Sequence, residues 1–173
     1  MIIDRVLFSE QQVNSRIREL AAEIDARYAG RTLKLVGVLK GSVFFLTALA
    51  RALTVPVKID FLSISSFGGR APAGFVRIEK DLDDPIEGED VLLVEDIVDT
   101  GLTSRYLVQT LSARGPNTLG IVTLLDRAGK RIVQVPVEFR GFEIPDAFVV
   151  GCGLDYRQLY RNLGHIAVMK QEK

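Results

Sequence analysis

The chain has 173 residues, 47% of them hydrophobic, a size and composition that suit one domain over 1–173 with a sizeable core. Twenty-two basic residues balance twenty-two acidic ones, so the overall charge points to neither a nucleic acid nor an anionic membrane, and any basic patch must be local. The only cysteine, Cys152, has no internal disulfide partner, and the first residues lack the basic-then-apolar layout of a signal peptide; a cytoplasmic protein is expected.

Ser9-Glu10-Gln11-Gln12 has the form of a capping box, and Val13, Ile17, Leu20, Ala21 and Ile24 then share one helical face until Gly30 stops the run. Leu33 to Leu39 is an apolar run of strand length, and Lys40-Gly41-Ser42 turns the chain into an apolar helix, Val43 to Leu53. Arg51 interrupts that helix and it is too short to span a bilayer, so no membrane partner is expected. Beyond Pro56, Val57 to Ser66 reads as a strand. Phe67 to Gly74 carries Gly68, Gly69, Pro72 and Gly74, the composition of a mobile loop. Phe75 to Lys80 returns as a strand, giving a long antiparallel excursion before Asp83-Asp84-Pro85.

Val91 to Thr103 is the centre of the chain. An apolar run of buried-strand character meets three carboxylates, Glu95, Asp96 and Asp99, and burying such charge unpaired is costly. Thr100-Gly101-Leu102-Thr103 follows, and Leu107, Val108 and Leu111 then recur at helical spacing over Ser104 to Ser112. A helix N-terminus offers free N–H groups and a positive dipole end, and small hydroxyl residues around a glycine let the backbone close on an anion. The loop therefore reads as a phosphate cradle beside a diol or metal site.

Gly115-Pro116 ends that unit, and Gly120 to Leu125 makes another strand closed by Asp126-Arg127. Val135 to Phe139 and Ala147 to Val150 read as short strands separated by Gly141-Phe142-Glu143-Ile144-Pro145, with Ile166 to Met169 as a last one. The alternation predicts an α/β fold with an open, mostly parallel sheet covered on both faces and ligands at the carboxyl ends of its strands. Lys40, Glu95, Asp99 and Arg127 all emerge at that edge. The single histidine, His165, is read as structural; no zinc cluster, Cys/His or Ser/His nucleophile, Walker A pattern or GxGxxG occurs.

The nine residues Glu95-Asp96-Ile97-Val98-Asp99-Thr100-Gly101-Leu102-Thr103 resemble the phosphoribosyl-diphosphate (PRPP) motif of the type I phosphoribosyltransferases. Val38-Leu39-Lys40-Gly41-Ser42, Ile64-Ser65-Ser66-Phe67-Gly68, Gly141 to Asp146 and Leu154-Asp155-Tyr156 narrow the resemblance to the hypoxanthine-guanine branch, from about Val6 to Arg161. The resemblance implies a central mostly parallel sheet flanked by helices, a small hood built from terminal segments, and a mobile antiparallel loop over about 65–80. It implies transfer of phosphoribose from PRPP to N9 of hypoxanthine or guanine, giving the nucleoside monophosphate (IMP or GMP) and pyrophosphate. It also implies a homodimer or homotetramer.

Carried over residue by residue, the resemblance gives Glu95 and Asp96 the ribose hydroxyls and a magnesium ion, with Ile97 and Val98 inside the same motif. Thr100, Gly101, Leu102 and Thr103 take the 5′-phosphate. Leu39-Lys40-Gly41 matches a pyrophosphate loop with a non-proline cis peptide, and Arg161 supplies charge to the same leaving group. Asp99 is the presumed proton acceptor near N7 of the purine. Phe148 stacks on the base, the backbone at Val149 reads its polar edge, and Asp155 completes a second magnesium site. The loop containing Ser65 and Ser66 closes over the reacting atoms.

Three positions depart from the family pattern: Arg127 stands where a lysine usually meets O6 of the base, and Phe67 and Cys152 stand where tyrosine is common. Arginine keeps a donor and a charge but presents a planar fork, so base preference or rate is open at Arg127. A PRPP-sensing regulator of the same fold is the competing reading. It calls for an added DNA-binding domain, for which the 173 residues leave no spare length, or a basic face, which the balanced charge does not support.

Overall fold

A computed structural model describes residues 1–66 and 76–171. In chain order the elements are β1 (Ile2–Phe8), α1 (Glu10–Arg27), β2 (Leu33–Leu39), α2 (Ser42–Ala52), β3 (Val57–Ser66), β4 (Val76–Lys80), β5 (Asp90–Val98), α3 (Leu102–Ser112), β6 (Thr118–Asp126), a 3-10 turn at Ala128–Lys130, β7 (Val137–Glu143), β8 (Val149–Val150) and β9 (Ile166–Lys170). The predicted loop at Phe67 to Gly74, including the Phe67 departure and the first residue of the predicted strand at Phe75, lies outside the described residues.

The main sheet runs β4-β3-β2-β5-β6-β7, parallel except for β4. Its inner strands are apolar almost throughout because both faces are covered. Along β5, Leu92 and Val94 join the core under α1 and α2, while Val91 and Leu93 join the core with Leu107 and Leu111 of α3. The two-residue period of a strand thus divides one hydrophobic run between two layers. α1 begins as its capping box predicts: Gln12 N donates to Ser9 Oγ at 3.3 Å, and Ser9 N donates to Gln12 Oε1 at 2.9 Å.

A buried ion pair fixes one flank. Lys34 Nζ on β2 stands 3.3 Å from Asp60 Oδ2 on β3, both side chains being almost wholly enclosed. Asp60 also accepts from the amides of Asp83 and Asp84, which ties the connection entering β5 to the sheet.

The hood is the second sheet, order β1-β9-β8, in which the first strand pairs antiparallel with the last. Stacking of Phe8 on Phe142, with ring centroids 4.0 Å apart, joins it to β7. The sequence reading assigned no strand before Ser9. Residues 2–6 of β1 are all exposed, so no buried face marks them. Several boundaries shift by a residue or two, among them β7, which starts at Val137 and not Val135, and two differences bear on the site. Gly141-Phe142-Glu143 belongs to β7 instead of separating two strands, because Gly141 brings its backbone against the Leu124 carbonyl, where a Cβ would lie 2.3 Å from the oxygen. Ala147 and Phe148 fall outside β8, and Ala147 N turns back to Pro145 O at 2.8 Å. No helix among the described residues is long and apolar enough to cross a membrane.

Candidate active site

β2, β5 and β6 end side by side, and their carboxyl ends build the site. Glu95 is buried near the end of β5, with Ser104 Oγ donating to Oε1 at 3.4 Å. Burial, and then the charge of neighbouring Asp96, push its pKa up to about 8, against the weaker pull of Ser104. Burial likewise raises Asp96 to about 6, opposed by the Ile97 amide, which donates to Oδ1 at 2.9 Å, and by the charge of Arg161. Two adjacent carboxyls that resist ionisation are poised for a ligand that brings hydroxyl donors or positive charge.

Beyond Val98 the chain turns through Asp99 and Thr100 into Gly101, whose φ of +84° puts it in the left-handed region natural to glycine. α3 starts at the next residue, so its free N–H groups face the turn. Glu95, Ile97, Asp99, Thr100, Gly101, Thr103 and Ser104 line a hollow of about 140 Å³. Ile97 and Asp99 also line a second cavity of about 270 Å³, shared with Asp96, Arg127, Phe148, Val149, Leu154 and Asp155.

Arg127 forms one wall of that cavity. Its N–H donates to Val98 O at 2.9 Å, Nη1 to Asp99 Oδ2 at 3.1 Å, and Nη2 to Ala147 O. The other carboxylate oxygen of Asp99 is buried without a protein partner, as is Nε of Arg127. Phe148 is 45% exposed and lines this cavity, with the Tyr156 ring edge-on at 6.0 Å. Val149 beside it is buried and paired to Val168 of β9.

The Leu39–Lys40 peptide is cis, as the resemblance implied. Lys40 is exposed, and Gly41 is wedged: a Cβ there would lie 1.7 Å from Asp96 Oδ2. On its other side a Cβ at Gly153 would lie 1.9 Å from Gly41 O. Arg161 holds this layer, with Nη1 donating to Gly153 O at 2.6 Å and Nη2 standing 2.7 Å from Asp155 Oδ1. Asp155 and Arg161 therefore neutralise each other here. Ser65 and Ser66 sit at the far end of β3, in register with Arg77 and Val76. Among the described residues no three His, Cys, Asp or Glu side chains gather as a metal cage, so Glu95, Asp96 and Asp155 are hard oxygen donors without forming one cluster.

Sequence reasoning missed Tyr156, Gly153 and the turn geometry around them. Gly151 and Gly153 carry positive φ there as glycines, but Cys152, Arg157, Gln158 and Tyr160 do so without being glycine, and nothing in the sequence marks those four.

An acid pair, an anion-sized hollow at a helix start and an adjoining aromatic-walled cavity, all at the carboxyl edge of a parallel sheet, define a phosphosugar- or nucleotide-handling α/β protein. The phosphoribosyl transferase domain model matches residues 7–157. The chain is 48% identical over 172 residues to the hypoxanthine phosphoribosyltransferase of Haemophilus influenzae, covering 97% of this chain and 96% of that protein. It is 43% identical over 169 residues to the hypoxanthine-guanine phosphoribosyltransferase of Bacillus subtilis, covering 97% and 94%. Among solved structures, the hypoxanthine phosphoribosyltransferase of Trypanosoma cruzi in complex with the product IMP superposes with a TM-score of 0.92 at 42% identity, covering 97% of this chain and 95% of that one. The chain belongs to the phosphoribosyltransferase family, in its hypoxanthine-guanine branch.

Proposed function

We propose that the protein transfers phosphoribose from PRPP to N9 of hypoxanthine or guanine, releasing pyrophosphate and giving IMP or GMP, in the cytoplasm and as a homodimer or homotetramer. The observation that carries this reading is that Asp99 and Ile97 line both hollows at once. A ligand occupying the two would place a phosphate at one end, a flat base at the other and a sugar across the acid pair between them.

In this reading Thr100 to Thr103 bind the 5′-phosphate through N–H groups and hydroxyls at the start of α3. Glu95 and Asp96 accept from the ribose hydroxyls, and as carboxylates they stabilise positive charge that grows on the sugar as pyrophosphate departs. The base nitrogen forms its bond to C1′ as the bond from C1′ to the pyrophosphate oxygen breaks, and the ring proton passes to Asp99. Its side chain lines both hollows, where the reacting atoms would meet, and a positioned base contributes roughly 10²- to 10⁴-fold. Arg127 donates to O6, Phe148 stacks on the ring, and the Val149 backbone reads its polar edge. Leu39, Lys40 and Gly41, with Arg161, face the leaving group, and Ser65 and Ser66 approach it from β3. The acid pair Glu95 and Asp96 offers hard oxygen donors for one Mg²⁺ and Asp155 a donor for a second at a separate place, and ions held there would neutralise pyrophosphate charge.

The test is direct: purified protein with PRPP, Mg²⁺ and either base should form nucleotide, followed by chromatography. PRPP binding without nucleotide from either base would overturn the transferase reading and leave a PRPP-sensing protein.

A further inference from the structure

The pair Asp126 and Arg131 has no part in the roles above. Asp126 ends β6 with its side chain fully buried, and Arg131, whose side chain is 8% exposed, donates from Nη2 to Asp126 Oδ1. Arg140 Nε stands 2.6 Å from the other oxygen, an ion contact too poorly aligned to be a hydrogen bond. A buried carboxylate between one enclosed and one half-exposed arginine is a rigid fixture.

Its connections run to both hollows. The carbonyl of Asp126 accepts from Ile144 N at 2.9 Å, at the start of the segment leading to Phe148. Beyond Arg131, Ile132 N and Val133 N both donate to Thr100 O, at 2.9 and 3.2 Å. A Cβ at Gly101 would lie 2.5 Å from Val133 O and 3.0 Å from Arg131 Cδ, so the loop rests directly on this segment. The Thr100–Gly101 peptide is planar and trans, so drawing its carbonyl toward residues 132 and 133 turns the Gly101 N–H the opposite way. Gly101 lines the smaller hollow.

We propose that Arg131, seated on Asp126, is a positioning residue for phosphate recognition: it holds residues 131–133 so that they take the Thr100 carbonyl and leave the Gly101 N–H for the ligand's phosphate. This rests on reading that hollow as the 5′-phosphate site. Removing the guanidinium frees the segment, and the Thr100–Gly101 peptide loses its fixed orientation. The base cavity keeps Phe148, Val149 and Asp99.

The test compares calorimetric affinities for IMP and for inosine, which differ by the phosphate alone. Wild type should bind IMP far more tightly. In Arg131→Met that preference should fall about tenfold, the worth of one hydrogen bond to a charged group, with inosine affinity changed by less than about twofold. Arg131→Lys keeps the charge but not the fork, and should lose roughly threefold. A phosphate preference unchanged in both variants overturns the inference. So does an equal loss for IMP and inosine, and so does failure of both variants to fold, which would assign Arg131 to the fold alone. Wild type binding IMP no better than inosine would instead remove the phosphate-site reading, a separate result read before either variant is made.

Discussion

Gly41→Ala sets two effects against each other. Gly41 has φ −60° and ψ −42°, ordinary right-handed helical values, so alanine there should gain about 0.4–1 kcal/mol from the reduced freedom of the unfolded chain. Against this, the new methyl would sit 1.7 Å from Asp96 Oδ2 and 2.6 Å from its Cγ. Overpacking of that kind costs about 1–3 kcal/mol unless the neighbour moves. Asp96 is the atom group best able to move, and in doing so it leaves the Ile97 amide and the position from which it would serve the ribose. Losing a hydrogen bond to a charged group costs about 1.5–3 kcal/mol, so PRPP should bind roughly tenfold to hundredfold more weakly. Stability should fall by no more than about 2 kcal/mol, because the backbone gain offsets part of the crowding. The assay pairs urea denaturation with KM for PRPP, using KM for hypoxanthine as a control. A variant more stable than wild type with an unchanged PRPP KM would refute the reasoning, since it would mean the methyl meets nothing.

Four further outcomes follow from the same geometry. Glu95 and Asp96 hold their protons in the ligand-free folded state up to about 8 and about 6, above the unfolded 4.5 and 3.8, so stability from this pair is full in acid and declines as pH rises through that window. Glu95→Gln should flatten the decline in denaturation curves of ligand-free protein; a wild-type stability that rises steadily over the window would contradict it. Asp99→Asn should lower turnover at least about a hundredfold while PRPP affinity stays near wild type, and equal losses in both would count against proton transfer. Arg127→Lys trades a fork that spans Asp99 and Ala147 O for a single ammonium, so KM for hypoxanthine relative to guanine should shift with KM for PRPP unmoved. If both base constants stay put, Arg127 does not read the base. Asp60→Asn strands the buried Lys34 and should cost about 3 kcal/mol in chemical denaturation, most of which Lys34→Met should restore in the double variant. Additive losses would show that the two side chains do not act as a pair.

The parallel strands were legible because burial on both faces writes an uninterrupted apolar run, as at Leu33 to Leu39. The start of α1 was legible because its cap is spelled in four adjacent residues. The nine residues from Glu95 to Thr103 do lie together at one strand end and helix start, but their partners do not announce themselves. Asp126-Arg127-Ala128-Gly129-Lys130-Arg131 looks like a solvated turn, and nothing local says that its first carboxylate and last guanidinium are enclosed together. Gly141 reads as a break because glycine usually weakens strands, whereas here it allows a backbone to touch Leu124. β1 carries no buried face of its own, so only its distant partner β9 reveals it. Arg161 and Asp155 were each assigned a ligand separately, and their pairing with one another depends on a turn built from left-handed residues that composition does not signal.

The hood also has a consequence for the order in which the molecule is made. The sheet bearing the acid pair and the phosphate hollow has all its strands once synthesis passes Glu143, and domains tend to acquire structure from the N-terminus as they emerge. β8, which follows Phe148 directly, has no partner until Ile166–Lys170 appears, and β1, the earliest of these strands, waits for the same segment. On the proposed reading, a nascent chain halted between these points would carry the sugar-phosphate half without Phe148 and Val149 in place for the base. Completion of β9 is thus the event that joins the two halves, and on the proposed reading a ribosome paused before it would display a site for the donor with none yet formed for the acceptor.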